Sequence, residues 1–194
     1  MLRPTIKIAF AFAFGWIILK MLFYSLHLFM DDIVVPGMIN NLFLLLSISL
    51  GLYYTKKQEG YGVASAFTDL KRGITSGMIY TLIVAIFILI YYSYIYPEFT
   101  ENRIEQRMDL FYSEMERPSY VDSLRTQNAA FEIMTKEEII SKIKADNVSN
   151  LSPKNSFVFT LLGMMILSAT YAIFITLIYQ RILFRDSYSE KKGN

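Results

Sequence analysis

Four polar side chains in the first apolar stretch are spaced as a chemical site would be. Lys20, Tyr24, His27 and Asp31 follow at steps of four, three and four, so a continuous helix carries them on one face. Lys20 falls near the middle of that stretch. A charge at mid-membrane costs about 2.5–3.5 kcal/mol on insertion scales, so the ammonium is expected to face protein or water. Asn40 and Asn41 reach a comparable depth if the next stretch folds back as a hairpin through Asp31 and Asp32. Together these residues could form a polar pocket or a permeation element. The plainer reading is that Lys20 snorkels or hydrogen-bonds to Asn40 and holds the hairpin together, with His27 and Asp31 as ordinary interface residues. That reading is preferred, because one lysine with no intramembrane carboxylate is a thin basis for a proton relay.

Other chemistries find less support. The chain has no cysteine, which removes disulfides, thiol catalysis and thiolate metal sites together. Its one histidine, His27, excludes a histidine-rich metal centre, and no serine is identifiably near it for nucleophilic catalysis. Glu98, Glu101, Glu105 and Asp109 are regularly spaced acids that read as a solvated helix face before a carboxylate ligand set. The glycines between Glu59 and Arg72 are too few and wrongly arranged for a phosphate loop. A net charge of +2 gives no reason to expect a nucleic-acid partner. No catalytic residue, cofactor or metal is therefore expected.

The elements that must position these residues are four apolar runs, at about 5–29, 33–54, 74–96 and 157–180. Each is about as long as the roughly 20 residues a helix needs to cross the hydrocarbon core, or slightly longer. The predicted fold is all-α: a four-helix transmembrane bundle with a long, mainly helical extracytoplasmic insert. The expected organisation is 1–96 for the first three helices, 97–155 for the insert, and 156–194 for the last helix and a basic tail. Arg3, Lys7 and the apolar stretch after them resemble a signal peptide. Ala9, Ala11 and Ala13 come too early for a cleavage site, however, and apolar sequence resumes after Lys20, so retention is expected.

Basic residues set the expected orientation. Arg3 and Lys7 lie at the N-terminal end of the chain; Lys56, Lys57, Lys71 and Arg72 lie between the second and third runs; Arg181, Arg185, Lys191 and Lys192 follow the fourth. The first connection carries only Asp31 and Asp32. The positive-inside rule then places both termini in the cytoplasm and 97–155 outside. Tyr91, Tyr92, Tyr94 and Tyr96 mark an outer interface, and Tyr53, Tyr54 and Tyr179 an inner one.

Small residues recur every fourth position in two runs: Gly73, Gly77, Thr81 and Ala85 in the third, and Ser168, Ala172 and Thr176 in the fourth. Such stripes let helix backbones approach closely, either as an internal seam, which is favoured, or as a self-association face. Residues 59–72 are predicted to form a short interfacial helix, with Phe67 and Leu70 toward lipid. In the insert, Ile104, Met108, Phe111 and Met115 predict an amphipathic helix over 100–116, broken by Pro118. Thr135 and Glu138 form a capping box opening a helix that should end near 145–147.

The stretch Ala66-Phe-Thr-Asp-Leu-Lys-Arg-Gly-Ile-Thr-Ser-Gly-Met-Ile-Tyr80, leading to Tyr94-Ile-Tyr-Pro-Glu-Phe99, resembles the bacterial membrane family known as domain of unknown function 4199, found mainly in Bacteroidota. The layout is similar too, down to Tyr179-Gln-Arg181 after the last span; the single glycine of the first span, Gly15, departs from it. The resemblance implies a multi-pass inner-membrane protein of a Gram-negative cell with 97–155 in the periplasm, and carries no activity with it. The expected function is a non-enzymatic interaction, accessory or assembly protein. Its partners are the lipid bilayer and either another protein or a second copy, met through the stripes or residues 100–145. The alternative is a small oligomeric transporter or channel using the polar face around Lys20.

Overall fold

The computed structural model describes residues 3–30, 32–61 and 63–183. Asp31 and the tail residues Arg185, Lys191 and Lys192 lie outside the described residues. Among the described residues every regular element is a helix and none is a strand: α1 (Pro4–Ser25), α2 (Val34–Glu59), α3 (Ala66–Ile90), α4 (Glu98–Met115), α5 (Pro118–Gln127), α6 (Lys136–Leu151) and α7 (Pro153–Ile178). A π turn extends α3 over Tyr91–Ile95 and another extends α7 over Tyr179–Leu183. With those extensions, α1, α2, α3 and α7 are the four helices long and apolar enough to cross a membrane.

The chain divides into two compact units, Met1–Phe87 with Phe159–Asn194, and Ile88–Val158. The first holds the long helices in up-and-down order. Phe12 and Phe43 meet edge to face across α1 and α2, and Trp16 meets Phe87 across α1 and α3. Gly73 faces Ala172 and Gly77 faces Ser168, so α3 and α7 run antiparallel. A Cβ on Gly77 would overlap the Ser168 hydroxyl, which is why glycine stands there. The two small-residue stripes are thus spent on each other, and Thr81, Ala85, Ser168, Ala172 and Thr176 are all buried.

The second unit is built from α4–α6 around Met115, Phe131 and Ile139, with Phe111, Tyr120, Leu124 and Ile143 packed on them. The Thr135–Glu138 capping box is present, each residue's side chain accepting from the other's backbone N–H. Two features differ from the sequence expectation. Pro118 occupies the first turn of α5, where its missing N–H costs nothing, so the break after α4 is also the start of another helix. And α6 runs on to Leu151, because no glycine or proline stops it before Pro153.

Span ends differ as well. The helix α1 stops at Ser25, and His27 and Phe29 adopt left-handed backbone conformations, both with φ of 54°. His27 is exposed and no longer shares a helical face with Lys20. Between α2 and α3 the described residues form no separate interfacial helix. The second span continues to Glu59, Gly60 ends it at φ 98°, and α3 already begins at Ala66. Phe67 is 75% exposed on the first turn of that helix.

Candidate functional site

At the junction of α2 and α3 an ion pair is sealed inside the first unit. Lys56 Nζ lies 2.5 Å from Asp69 Oδ2, with side chains 1% and 0% exposed. Each charge suits its own helix end: Lys56 sits in the last turn of α2 and Asp69 in the first turn of α3, where the helix dipoles favour a cation and an anion respectively. The short connector closed by Gly60 brings those two ends together. Gln180, in the π turn after α7, donates to the same Asp69 oxygen at 3.2 Å. Arg72, one turn along α3, pairs with Glu59 at 2.7 Å and approaches Asp69 Oδ1 at 3.9 Å. Two cations and two anions from adjacent helix ends thus sum to zero. Removing either partner of such a buried pair costs about 3–5 kcal/mol, because the survivor is left charged and desolvated.

Further polar layers line the same helices. The Ser76 hydroxyl lies 3.2 Å from the carbonyl oxygens of both Thr5 and Ser47, tying α3 to α1 and α2. Gly51 permits that approach: a Cβ there would come within 3.1 Å of Ser76 Oγ and 3.3 Å of the Thr5 backbone. Tyr179 donates to the Ser49 carbonyl at 3.0 Å, joining α7 to α2. Deeper in, the buried Tyr80 hydroxyl donates to Asn40 Oδ1 at 2.7 Å, and Asn40 Nδ2 donates to Met164 Sδ at 3.4 Å. One asparagine therefore links α2, α3 and α7 where apolar surroundings offer no alternative partner.

The residues singled out from the sequence fare differently. Lys20 is 8% exposed and Asn40 is buried, whereas Tyr24 and Asn41 are half-buried. The hydrogen bonds described for Asn40 join it to Tyr80 and Met164. The cluster built on Lys20, His27 and Asn40 is not assembled as drawn, since His27 has left the helix. The charged layer of Lys56, Asp69, Arg72 and Gln180 was missed. In the sequence Lys56 and Arg72 serve as markers of orientation, and Asp69 and Arg72 fall in the expected interfacial helix and in the family-like stretch, with no pairing among them. One signal was available: a lysine at one helix end and an aspartate at the next, across a glycine-bearing connector. Among the described residues no group of histidines and acids is placed to hold a metal ion.

An all-helical chain with four long apolar helices suited to a membrane, its polar side chains turned inward and cross-linked, defines a membrane-helix protein. The chain belongs to the family described as "Protein of unknown function (DUF4199)", whose model matches residues 7–181. That match spans every residue of the charged layer. No curated protein and no solved structure matches the chain.

Proposed function

We propose that this is a non-enzymatic, multi-pass inner-membrane accessory protein whose four long helices form a closed scaffold and whose α4–α6 unit makes the contact with a partner protein. The observation that carries this is the use of the small-residue stripes. Gly73 and Gly77 are occupied by Ala172 and Ser168 of the same chain, so these surfaces are taken and self-association through them is disfavoured. In the α4–α6 unit, by contrast, Leu110 is 70% and Ile133 91% exposed in an otherwise polar segment. The basic residues favour cytoplasmic termini and a periplasmic 97–155.

Two measurements test this. With no native cysteine, single replacements report topology without background. Ser113→Cys should react with an impermeant maleimide in spheroplasts, and Ser65→Cys only after lysis; the reverse pattern overturns the orientation. Photo-crosslinkers at Leu110 and Ile133, compared with Met78 and Leu82 on the exposed side of α3, should capture one defined protein from the insert positions in native membranes. Lipid adducts alone at all four would remove the reading.

The burial of Lys20 within α1 favours the second reading, a small oligomeric transporter or channel. A Lys20→Met chain that supports full cellular function counts against it; a chain that folds normally but loses function makes it the leading reading.

A further inference from the structure

A groove between the start of α1 and the end of α2 has no part in the contacts described so far. It holds about 580 Å³ and is lined by Pro4, Lys7, Ile8, Tyr54, Lys57 and Gln58. That volume falls within the ~300–1,000 Å³ of ordinary ligand sites. Its lining has two parts. Pro4, Ile8 and the ring of Tyr54 are apolar, while Lys7, Lys57 and Gln58 present two ammonium groups and an amide. The charges nearby are engaged elsewhere: Lys56 pairs with Asp69, and Glu59 with Arg72. The first turn of α1 contains no acid. Among the described residues, then, no carboxylate is in an ion pair with Lys7 or Lys57, and both side chains are exposed at the rim.

We propose that this groove binds the headgroup of an anionic glycerophospholipid, with its phosphate between Lys7 and Lys57 and its acyl chains leaving along Ile8 and Tyr54. Position favours a lipid over a soluble anion. Both lysines lie within two turns of the end of a long apolar helix, the depth at which headgroups meet the hydrocarbon core. Ile8 and the Tyr54 ring also offer apolar surface that a free phosphate would leave wet. The amino-terminal end of α1, where Pro4 lines the groove, adds the partial positive charge of its helix dipole to the same rim. A zwitterionic lipid is disfavoured because its own cationic group meets two lysines. The inference requires neither the partner contact of α4–α6 nor a particular leaflet, so it stands or falls separately from the function proposed above.

Native mass spectrometry of the full chain in neutral detergent, titrated with phosphatidylglycerol or phosphatidylcholine of equal chain length, tests it. The unaltered chain should hold one phosphatidylglycerol at least about tenfold more tightly than phosphatidylcholine. Lys7→Gln/Lys57→Gln should erase that preference and Lys7→Arg/Lys57→Arg should keep it. Lys71→Gln/Lys136→Gln, which removes the same charge at exposed positions elsewhere, should also keep it. Equal retention of the two lipids by the unaltered chain overturns the proposal, as does an equal loss in the Lys71/Lys136 control. Displacement of phosphatidylglycerol by inorganic phosphate overturns it too, and makes the groove a site for a free anion. If the glutamine variants failed to fold, the two-lipid and phosphate titrations of the unaltered chain would still decide.

Discussion

Around its long helices the chain turns polar groups inward and leaves Phe14, Ile18, Met38, Ile166 and Phe174 on the outside; in the α4–α6 unit it does the reverse. There Met115, Phe131 and Ile139 are inside, and the ion pairs Arg117–Glu114 and Lys142–Asp146 are on the surface. The same pairing chemistry has different consequences in the two places. An exposed pair gains about 0–1 kcal/mol, because water competes for both ions. The sealed Lys56–Asp69 pair is worth little as a net gain over a well-packed apolar pair, yet losing half of it is costly. Each unit thus hides from its surroundings what those surroundings solvate poorly. A sequence-wide hydrophobicity average would blur two opposite rules into one.

The largest expected effect comes from breaking the sealed pair. Asp69→Ala should lower unfolding stability in detergent by about 3–5 kcal/mol, and Lys56→Met/Asp69→Leu should restore most of it. Asp146→Ala, which opens the exposed pair, should change stability by less than about 1 kcal/mol. Equal losses from Asp69→Ala and Asp146→Ala would abolish the contrast between the units.

Packing comes next. Gly77→Ala forces a methyl group into Ser168 and should cost about 1–3 kcal/mol, relieved by Ser168→Gly in the same chain. Gly163→Ala, where a Cβ meets nothing within 4 Å, should be neutral or slightly stabilising. Thermal midpoints of the three chains decide it.

The smallest effects sharpen the comparison of hydrogen bonds. Tyr80→Phe should cost about 0.5–1.5 kcal/mol, in the range measured for buried bonds between membrane helices. Thr135→Ala should cost about 1 kcal/mol through the lost cap. Hydrogen exchange separates them: Thr135→Ala should accelerate exchange at the start of α6 and leave α2 and α3 unchanged.

The four long apolar helices were legible because length and apolar content are one-dimensional properties. Their ends were not, because the residues that extend α2 to Glu59 and start α3 at Ala66 are polar in isolation and become helical partners only when they pair with each other. The ending of α1 at Ser25 was hidden for a related reason. The four-three-four spacing through His27 presumes a continuous helix, and the left-handed residues that end it bear no glycine to announce them. The polar layers escaped a spacing argument because Asn40, Tyr80 and Met164 meet only once three helices are packed. Part of the stretch behind the family resemblance proves to be contact machinery: Asp69, Gly73, Ser76, Gly77 and Tyr80 all face other helices.

The Lys56–Asp69 pair also has a history in time. Before α2 and α3 meet, Lys56 is a positive charge beside Lys57. Once α2 and α3 close on each other, the carboxylate cancels it and both side chains leave the surface. A lysine that counts as a positive charge in the sequence thereby becomes electrically silent in the finished molecule, and a charge map of the folded surface would no longer reveal it.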